Sequence, residues 1–215
     1  MSIGILWDLD GTLLDTLEDL YDTVDETMAQ LGLPERTMEE VRHFVGNGAR
    51  RLLELSLEGQ RDVEDVWDTF HSIYVKHCQQ KTAPYPGIRE ALEILGKRYP
   101  MAIVTNKPDT AAKIVCGDYF PGIYTQGESP VCPRKPRPDM VFQAMEKIGV
   151  ESCIYIGDSE VDVETAKNAG VPCVSVLWGF RTRQEMENAG GKYLCERPEQ
   201  LPALIENILG ERNGK

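Results

Sequence analysis

Four aspartates of the chain come just after apolar runs, where their carboxylates could act together. Asp8 and Asp10 follow the run Ile3–Trp7. Asp158 and Asp162 follow a second apolar run. Such runs are typical of strands that are buried on both faces of a parallel sheet. Because open α/β sheets bind ligands at the carboxyl ends of their strands, we expect the four carboxylates to meet at one sheet edge. Clustered carboxylates have raised pKa values unless a cation compensates them, and oxygen-only ligands favour Mg²⁺.

Two further polar stretches carry the hydrogen-bond donors and positive charge that suit a phosphate group. Thr105, Asn106 and Lys107 follow the apolar run 101–104. In the segment 134–138, two prolines restrict the backbone, so that Lys135 can be aimed at a ligand.

Each of these stretches also has a purely structural interpretation. Asp and Gly favour turns, so the first pair of acids would fit a solvated turn. Ser159 precedes Asp162 by three residues, which is a variant of the capping box at a helix start. Capping does not require Asp158, so both interpretations of that stretch can hold together. The stretches at Thr105 and Lys135 would fit polar loops that lead into helices.

The elements that must position these residues predict an α/β fold with a Rossmann-like parallel sheet. Helical patterns fill the chain between the first strand and about residue 77, and no strand candidate occurs from Asp15 to Lys81. After a proline-rich linker at 83–87, helices and strands alternate, which predicts a sheet covered on both faces. We therefore predict a core domain of residues 1–14 and 84–215 and an inserted all-helical domain of residues 15–83.

Composition narrows the classes of partner. Thirty-five acidic residues against 23 basic ones give a net charge of −12 and no basic stripe, so we expect no nucleic-acid or membrane partner. No apolar run approaches the roughly 18 residues of a membrane span, and no signal-like segment is evident, so we expect a cytoplasmic protein. The six cysteines form no C-x-x-C pair and are expected to be small buried hydrophobes.

Taken together, the motifs resemble those of the haloacid dehalogenase superfamily, in the order which that family uses. They are D-L-D-G-T at 8–12, Thr105-Asn106, Lys135 before a proline, and Gly157-Asp158 with Asp162. The helical insertion resembles the family's C1 cap. The stretches F-V-G-N-G-A-R at 44–50, V-T-N-K-P at 104–108 and R-K-P-R-P-D at 134–139 are most similar to the phosphoglycolate phosphatase subgroup. Trp7 stands where the family usually has Phe.

The resemblance implies a Mg²⁺-dependent hydrolase of small phosphomonoesters, with 2-phosphoglycolate as the favoured substrate. Asp8 would be the nucleophile that forms an aspartyl-phosphate, and Asp10 would be the general acid and base. Asp8, the Asp10 carbonyl and Asp158 would hold the metal, with Asp162 in support. The partner is then a small phosphorylated metabolite, and the protein is a monomer or a homodimer.

The resemblance also implies substrate-binding residues in the core and in the cap. They are Gly11, Thr105, Asn106 and Lys135 in the core, and Gly46, Asn47 and Arg50 in the cap. Lys107 is expected to be a solvated neighbour rather than a ligand. Arg50 or Arg51 could pair with a substrate carboxylate. Alternatively, the segment 44–50 is a tight turn between helices, and its arginines are solvated.

Four other functions are compatible with parts of the sequence. A phosphosugar mutase shares the motifs but would release no net phosphate. A non-catalytic binding protein of this fold should have lost one of Asp8, Asp10, Lys135 or Asp158, and all four are present. A nicotinamide-binding enzyme would need G-x-G-x-x-G after the first strand, which is missing. Dehalogenases of the superfamily lack the second aspartate that Asp10 provides.

Overall fold

The computed structural model describes residues 2–213. The strands of these residues are β1 (Ile3–Trp7), β2 (Leu14–Asp15), β3 (Ala83–Pro84), β4 (Met101–Pro108), β5 (Tyr124–Glu128), β6 (Ser152–Gly157), β7 (Cys173–Val176) and β8 (Tyr193–Cys195). Six of them form one parallel sheet in the order β5-β4-β1-β6-β7-β8. Trp7 is in register with Ile103 on β4 and Ile156 on β6. The carboxyl ends of these three strands therefore meet at one edge, as predicted.

Alternate residues of β1 enter two different apolar layers, one on each face of the sheet. Ile5 and Trp7 pack into the layer formed with α5 (Ile88–Gly96), α6 (Asp109–Tyr119) and α10 (Leu201–Asn213). Leu6 packs into the layer formed with α7 (Asp139–Ile148) and α8 (Glu160–Ala169). A further short helix, α9, spans Arg183–Asn188. The predicted α/β class with helices on both faces is confirmed.

Four helices between β2 and β3 form a cap with its own apolar core. They are α1 (Leu17–Leu31), α2 (Met38–Phe44), α3 (Ala49–Leu57) and α4 (Val63–His77). Val24, Leu53 and Phe70 are almost fully buried between these helices. Thr37 closes a capping box with Glu40 at the start of α2, so this boundary is specified locally. The helical cap is thus as the sequence predicts.

A two-stranded antiparallel ribbon, absent from the sequence prediction, joins the cap to the core. Leu14 pairs with Pro84 and Asp15 pairs with Ala83. The two chain segments that connect cap and core therefore run side by side. Two-residue strands are too short to show any periodic pattern, which is why we predicted only a linker at 83–87.

Strand β4 extends beyond the apolar run 101–104 and ends at Pro108. Its last residues are polar but buried, since the cap covers them. Four of the six cysteines are buried in the core layers, as expected: Cys116, Cys132, Cys153 and Cys195. Cys78 and Cys173, for which we expected the same, are partly exposed. Among the described helices, none is both long enough and apolar enough to span a membrane.

Candidate active site

Three carboxylates form a buried cluster at the carboxyl edge of the sheet. Asp8 follows β1, Asp158 follows β6, and Asp162 lies in the first turn of α8. Each offers one oxygen, and these oxygens all lie within 4.8 Å of one another. The Asp10 carboxylate, which was expected near this group, instead accepts a hydrogen bond from Lys107. The structure thus brings three of the four predicted acids together through their side chains.

Lys135 supplies the positive charge within this cluster. Its Nζ donates to Asp8 Oδ1 and to Asp162 Oδ1, both at 2.7 Å. The ammonium group is buried, with 2 % of the side chain exposed. Asn106 holds the backbone of Lys135 on both sides: its Oδ1 accepts from Lys135 N at 2.7 Å, and its Nδ2 donates to Lys135 O at 3.2 Å. The lysine is therefore aimed, as we predicted, although it is Asn106 that anchors its backbone.

The cluster carries more negative charge than Lys135 can balance. Burial, together with the charge of Asp162, raises the pKa of Asp8 well above its ordinary value, although Lys135 opposes the shift. The same two causes raise the pKa of Asp158 to about 7. Burial alone would lower the pKa of Lys135, but Asp162 and Asp8 outweigh it and raise that pKa. A divalent cation held by oxygen ligands would relieve this imbalance, so the donor set fits such an ion.

Backbone geometry lets the loops approach these acids closely. Asp158 Oδ2 accepts from Phe180 N at 2.7 Å, and Asp158 Oδ1 accepts from Thr12 Oγ1 at 3.2 Å. Gly11 has φ +85°, and a Cβ there would lie 2.3 Å from Asp158 Oδ2. A Cβ at Gly157 would lie 2.2 Å from the carboxyl carbon of Asp162. Only glycine fits at these two positions. The amide of Gly11 donates to a backbone carbonyl within its own turn, so it is not available to a phosphate here.

The stretch 157–162 forms the predicted capping box and also contributes two acids to the carboxylate cluster. Asp162 Oδ2 accepts from Ser159 N at 3.0 Å and from Ser159 Oγ at 2.6 Å, which completes the capping box. Its other oxygen accepts from Lys135. Asp162 thus caps α8 and orients Lys135 at the same time, while Asp158 is left to face the cluster.

Lys107 is not the solvated neighbour that we expected. It is 4 % exposed, and its Nζ donates to Asp10 Oδ1 at 3.0 Å. The same Nζ lies 5.2 Å from the ring centroid of Tyr74, which belongs to cap helix α4. The expectation was wrong because the cap covers the end of β4. Thr105 Oγ1 accepts from Lys107 N at 3.1 Å, which leaves the threonine hydroxyl free to donate to a ligand.

A pocket lies between the sheet edge and the cap. Its lining residues are Asp8, Asp10, Thr105, Asn106, Lys107 and Pro108 from the core, and Leu20, Val45, Gly46, Gly48, Ala49, Leu52 and Tyr74 from the cap. Polar groups are thus concentrated on the core side, while the cap contributes a largely apolar wall.

The predicted cap residues reach the site unequally. The Gly46 carbonyl accepts from Asn106 Nδ2 at 3.0 Å, at the pocket wall. The Asn47 carbonyl accepts from Arg134 Nη1 at 3.1 Å, and Asn47 does not line the pocket. Arg50 lies outside the pocket: it forms an ion pair with Glu64, and its guanidinium carbon lies 4.2 Å from the Trp67 ring centroid.

For the two arginines of this segment, the arrangement is the alternative that we predicted, with side chains turned toward solvent. Arg51 pairs with Glu54 at 2.7 Å, and 41 % of the arginine side chain is exposed. In this conformation neither Arg50 nor Arg51 presents its charge to the pocket. Likewise, both donors of the Asn106 amide are bound to carbonyls, so its direct contact with a phosphate stays a prediction.

Arg181 was missed by the sequence analysis. This buried side chain, in the loop after β7, pairs with Glu160 at 2.8 Å. It also donates to the carbonyls of Arg42 at 3.0 Å and Val45 at 2.9 Å, at the carboxyl end of cap helix α2. Helix carboxyl ends attract cations, so Arg181 fastens the cap to the core. The sequence around a single arginine in a loop does not indicate that its side chain will contact another domain.

Comparison with known proteins agrees with this architecture. Residues 5–176 match the family of haloacid dehalogenase-like hydrolases. A phosphoglycolate phosphatase of Pseudomonas putida is 36% identical over 192 residues, which are 82% of this chain and 70% of that protein. One from Aquifex aeolicus is 32% identical over 218 residues, which are 96% of this chain and 98% of the relative.

Among solved structures, a haloacid dehalogenase-like family hydrolase from Streptococcus pneumoniae superposes with a TM-score of 0.86 at 24% identity, and the match covers 95% of this chain and 98% of that one. This likeness shows the fold. The family match and the relatives above 30% identity extend over most of the chain. The chain therefore belongs to the haloacid dehalogenase-like hydrolase family.

Proposed function

We propose that the protein is a Mg²⁺-dependent phosphatase of small phosphomonoesters, with 2-phosphoglycolate as the favoured substrate. The main support is the buried cluster in which Asp8 lies beside Asp158 and is hydrogen-bonded to Lys135. The relatives named phosphoglycolate phosphatase support the choice of substrate.

Asp8, Asp158 and the backbone carbonyl of Asp10 would hold the metal, and Asp162 would act through Lys135. The three clustered carboxylates against one ammonium group favour such an ion. When bound, Mg²⁺ would supply positive charge that offsets the repulsion between Asp8 and the phosphate.

The reaction proceeds in two displacements at phosphorus. Asp8 attacks and forms an aspartyl-phosphate while the ester oxygen leaves with a proton from Asp10. Asp10 then takes a proton from a water molecule, which attacks phosphorus and releases inorganic phosphate and the free Asp8 carboxylate. The Thr105 hydroxyl and the Lys135 ammonium group lie at the same edge and would bind the phosphoryl oxygens.

The cap would control access to this chemistry. We infer that residues 15–83 move as one domain relative to the core of residues 1–14 and 84–215, about the ribbon β2–β3. Contacts from Asn106 to Gly46 and from Arg181 to Val45 describe the closed position. Closure would exclude water from the aspartyl-phosphate before the hydrolytic step.

Phosphate release from a panel of phosphomonoesters, with and without Mg²⁺, tests the proposal. We expect release that depends on Mg²⁺ and that Asp8→Asn abolishes, because an amide cannot form the aspartyl-phosphate. Asp65→Asn, at an exposed position of α4, is the matched control and should retain activity. Conversion of a sugar phosphate without phosphate release would instead identify a mutase. Turnover by pure, folded Asp8→Asn protein would contradict the proposal.

A further inference from the structure

Lys107 is a buried cation in the pocket, and the proposed mechanism assigns it no role. Among the described residues that line the pocket, it is the one cation. Its Nζ lies 3.0 Å from the Asp10 carboxylate and 5.2 Å from the Tyr74 ring centroid. A buried ammonium group has a high desolvation cost, so its position between the core and the cap requires a reason.

We propose that Lys107, closed in by Tyr74 of the cap, binds a carboxylate of the substrate and thereby selects short carboxylated phosphomonoesters. This inference rests on the proposed phosphatase function and adds the group that recognises the remainder of the substrate. It also assigns this recognition to the core, where the sequence analysis had assigned it to Arg50.

The length of such a substrate places its carboxylate at Lys107. In a phosphomonoester of a 2-hydroxy acid, a single carbon separates the carboxylate from the ester oxygen. That oxygen must come within hydrogen-bond distance of Asp10, which gives it a proton. The substrate carboxylate is therefore close to Asp10. Lys107 Nζ lies in the same place, 3.0 Å from the Asp10 carboxylate. In a longer or bulkier ester, the end of the molecule opposite the phosphate would lie beyond Lys107.

The chemistry of the ammonium group suits this role. It has three donors, of which Asp10 occupies one, so at least one can turn toward a substrate carboxylate. Lys107 forms an ion pair with Asp10 at 3.0 Å, and this pairing favours the charged form of the ammonium group. Among the described residues that line the pocket, no other cation would offset the negative charge of Asp10 beside a substrate carboxylate.

Arg50 is poorly placed for the same task. Its charge is engaged by Glu64 and Trp67, and 46 % of its side chain is exposed. The cap's contribution to recognition is instead Tyr74, which is buried against Lys107. The binding site for the substrate carboxylate would thus be complete only when the cap is closed.

The test compares two esters of similar size, 2-phosphoglycolate and 2-hydroxyethyl phosphate, on wild-type and Lys107→Met protein. Loss of a charge-assisted hydrogen bond should lower kcat/KM for phosphoglycolate about ten- to a hundredfold more than for the uncharged ester. Any effect of Lys107 on Asp10 lowers both rates and cancels in this ratio. Arg50→Met removes a cation outside the pocket and should leave the ratio unchanged.

A binding measurement keeps the inference testable if Lys107→Met does not fold. Calorimetric titration of wild-type protein with 3-phosphonopropionate and with propylphosphonate should show at least tenfold tighter binding of the carboxylated analogue. Equal affinities, equal losses on both esters, or a changed ratio in Arg50→Met would overturn the role of Lys107. Absence of phosphate release from either ester would instead contradict the phosphatase function, whatever the two affinities are.

Discussion

Replacement of Lys135 by methionine tests the charge balance of the site. Lys135 is buried, and its Nζ bonds Asp8 and Asp162 at 2.7 Å each. Methionine has a similar length but no charge, so Lys135→Met leaves the packing nearly unchanged and removes the cation from the carboxylate cluster. The variant is expected to lose stability in metal-free solution.

The size of the loss follows from the burial of the pair. Removal of one partner from a buried ion pair costs about 3–5 kcal/mol, because the other charge is left uncompensated. For a chain of this length, 1 kcal/mol corresponds to roughly 2–4 °C in Tm, so we expect a decrease of roughly 6–20 °C at pH 8.

The loss should be smaller at pH 5, because the carboxyl groups can take up a proton. Burial and Asp162 raise the pKa of Asp158 from 3.8 to about 7 in the folded protein. A carboxyl group with a raised pKa binds more protons in the folded state than in the unfolded state between these two values. Stability therefore falls as the pH rises through that window, and the removal of Lys135 shifts both Asp8 and Asp158 further in the same direction.

Thermal unfolding followed by circular dichroism in EDTA, at pH 5 and pH 8, measures both effects. Lys97→Met is the matched control: Lys97 pairs with Glu93 at 3.0 Å on the surface, and 68 % of its side chain is exposed. Exposed pairs of this kind contribute little, so its Tm should stay near the wild-type value. A Tm of Lys135→Met within about 2 °C of wild type at pH 8, or a larger loss at pH 5, would refute the reasoning.

Three further outcomes are expected. Saturating Mg²⁺ should raise Tm more at pH 8 than at pH 5, since the ion competes with the proton on Asp158, whose pKa is about 7. An equal Mg²⁺ effect at both pH values would contradict the metal site. EDTA should stop turnover without unfolding the protein. Asp10→Asn should accumulate phosphoenzyme, visible after acid quench with labelled substrate, because water is no longer deprotonated; wild-type turnover would remove Asp10 from that role. Arg181→Met should increase amide hydrogen exchange in α2 and raise KM, because the closed cap loses the hydrogen bonds from Arg181 to the carbonyls of Arg42 and Val45. Unchanged exchange would show that other contacts hold the cap.

The parts of the fold that could be predicted are those specified by local pattern. The continuous apolar runs of β1 and β6 are long enough to indicate buried strands, and parallel strands bring their carboxyl ends together whatever lies between them in sequence. For that reason Asp8 and Asp158 could be assigned to one cluster although they are 150 positions apart in the sequence. The ribbon β2–β3 lacks such a pattern, since two residues pair only because the chain enters and leaves the cap at the same place.

The charged residues of the cap boundary could not be predicted, because long-range partners determine their burial. Lys107 looks like any lysine after a strand, and it is buried because Asp10, 97 positions away, pairs with it and Tyr74 covers it. Arg50 lies in the stretch that resembles a substrate loop, yet Glu64 and Trp67 on the next helix turn it outward. A buried charge needs a partner of opposite sign. Lys107 is buried in the pocket beside Asp10, whereas the partly exposed Arg50 is paired with Glu64 outside the pocket. The burial of Lys107 beside Asp10, which a linear pattern does not show, is the observation on which its proposed role in substrate recognition rests.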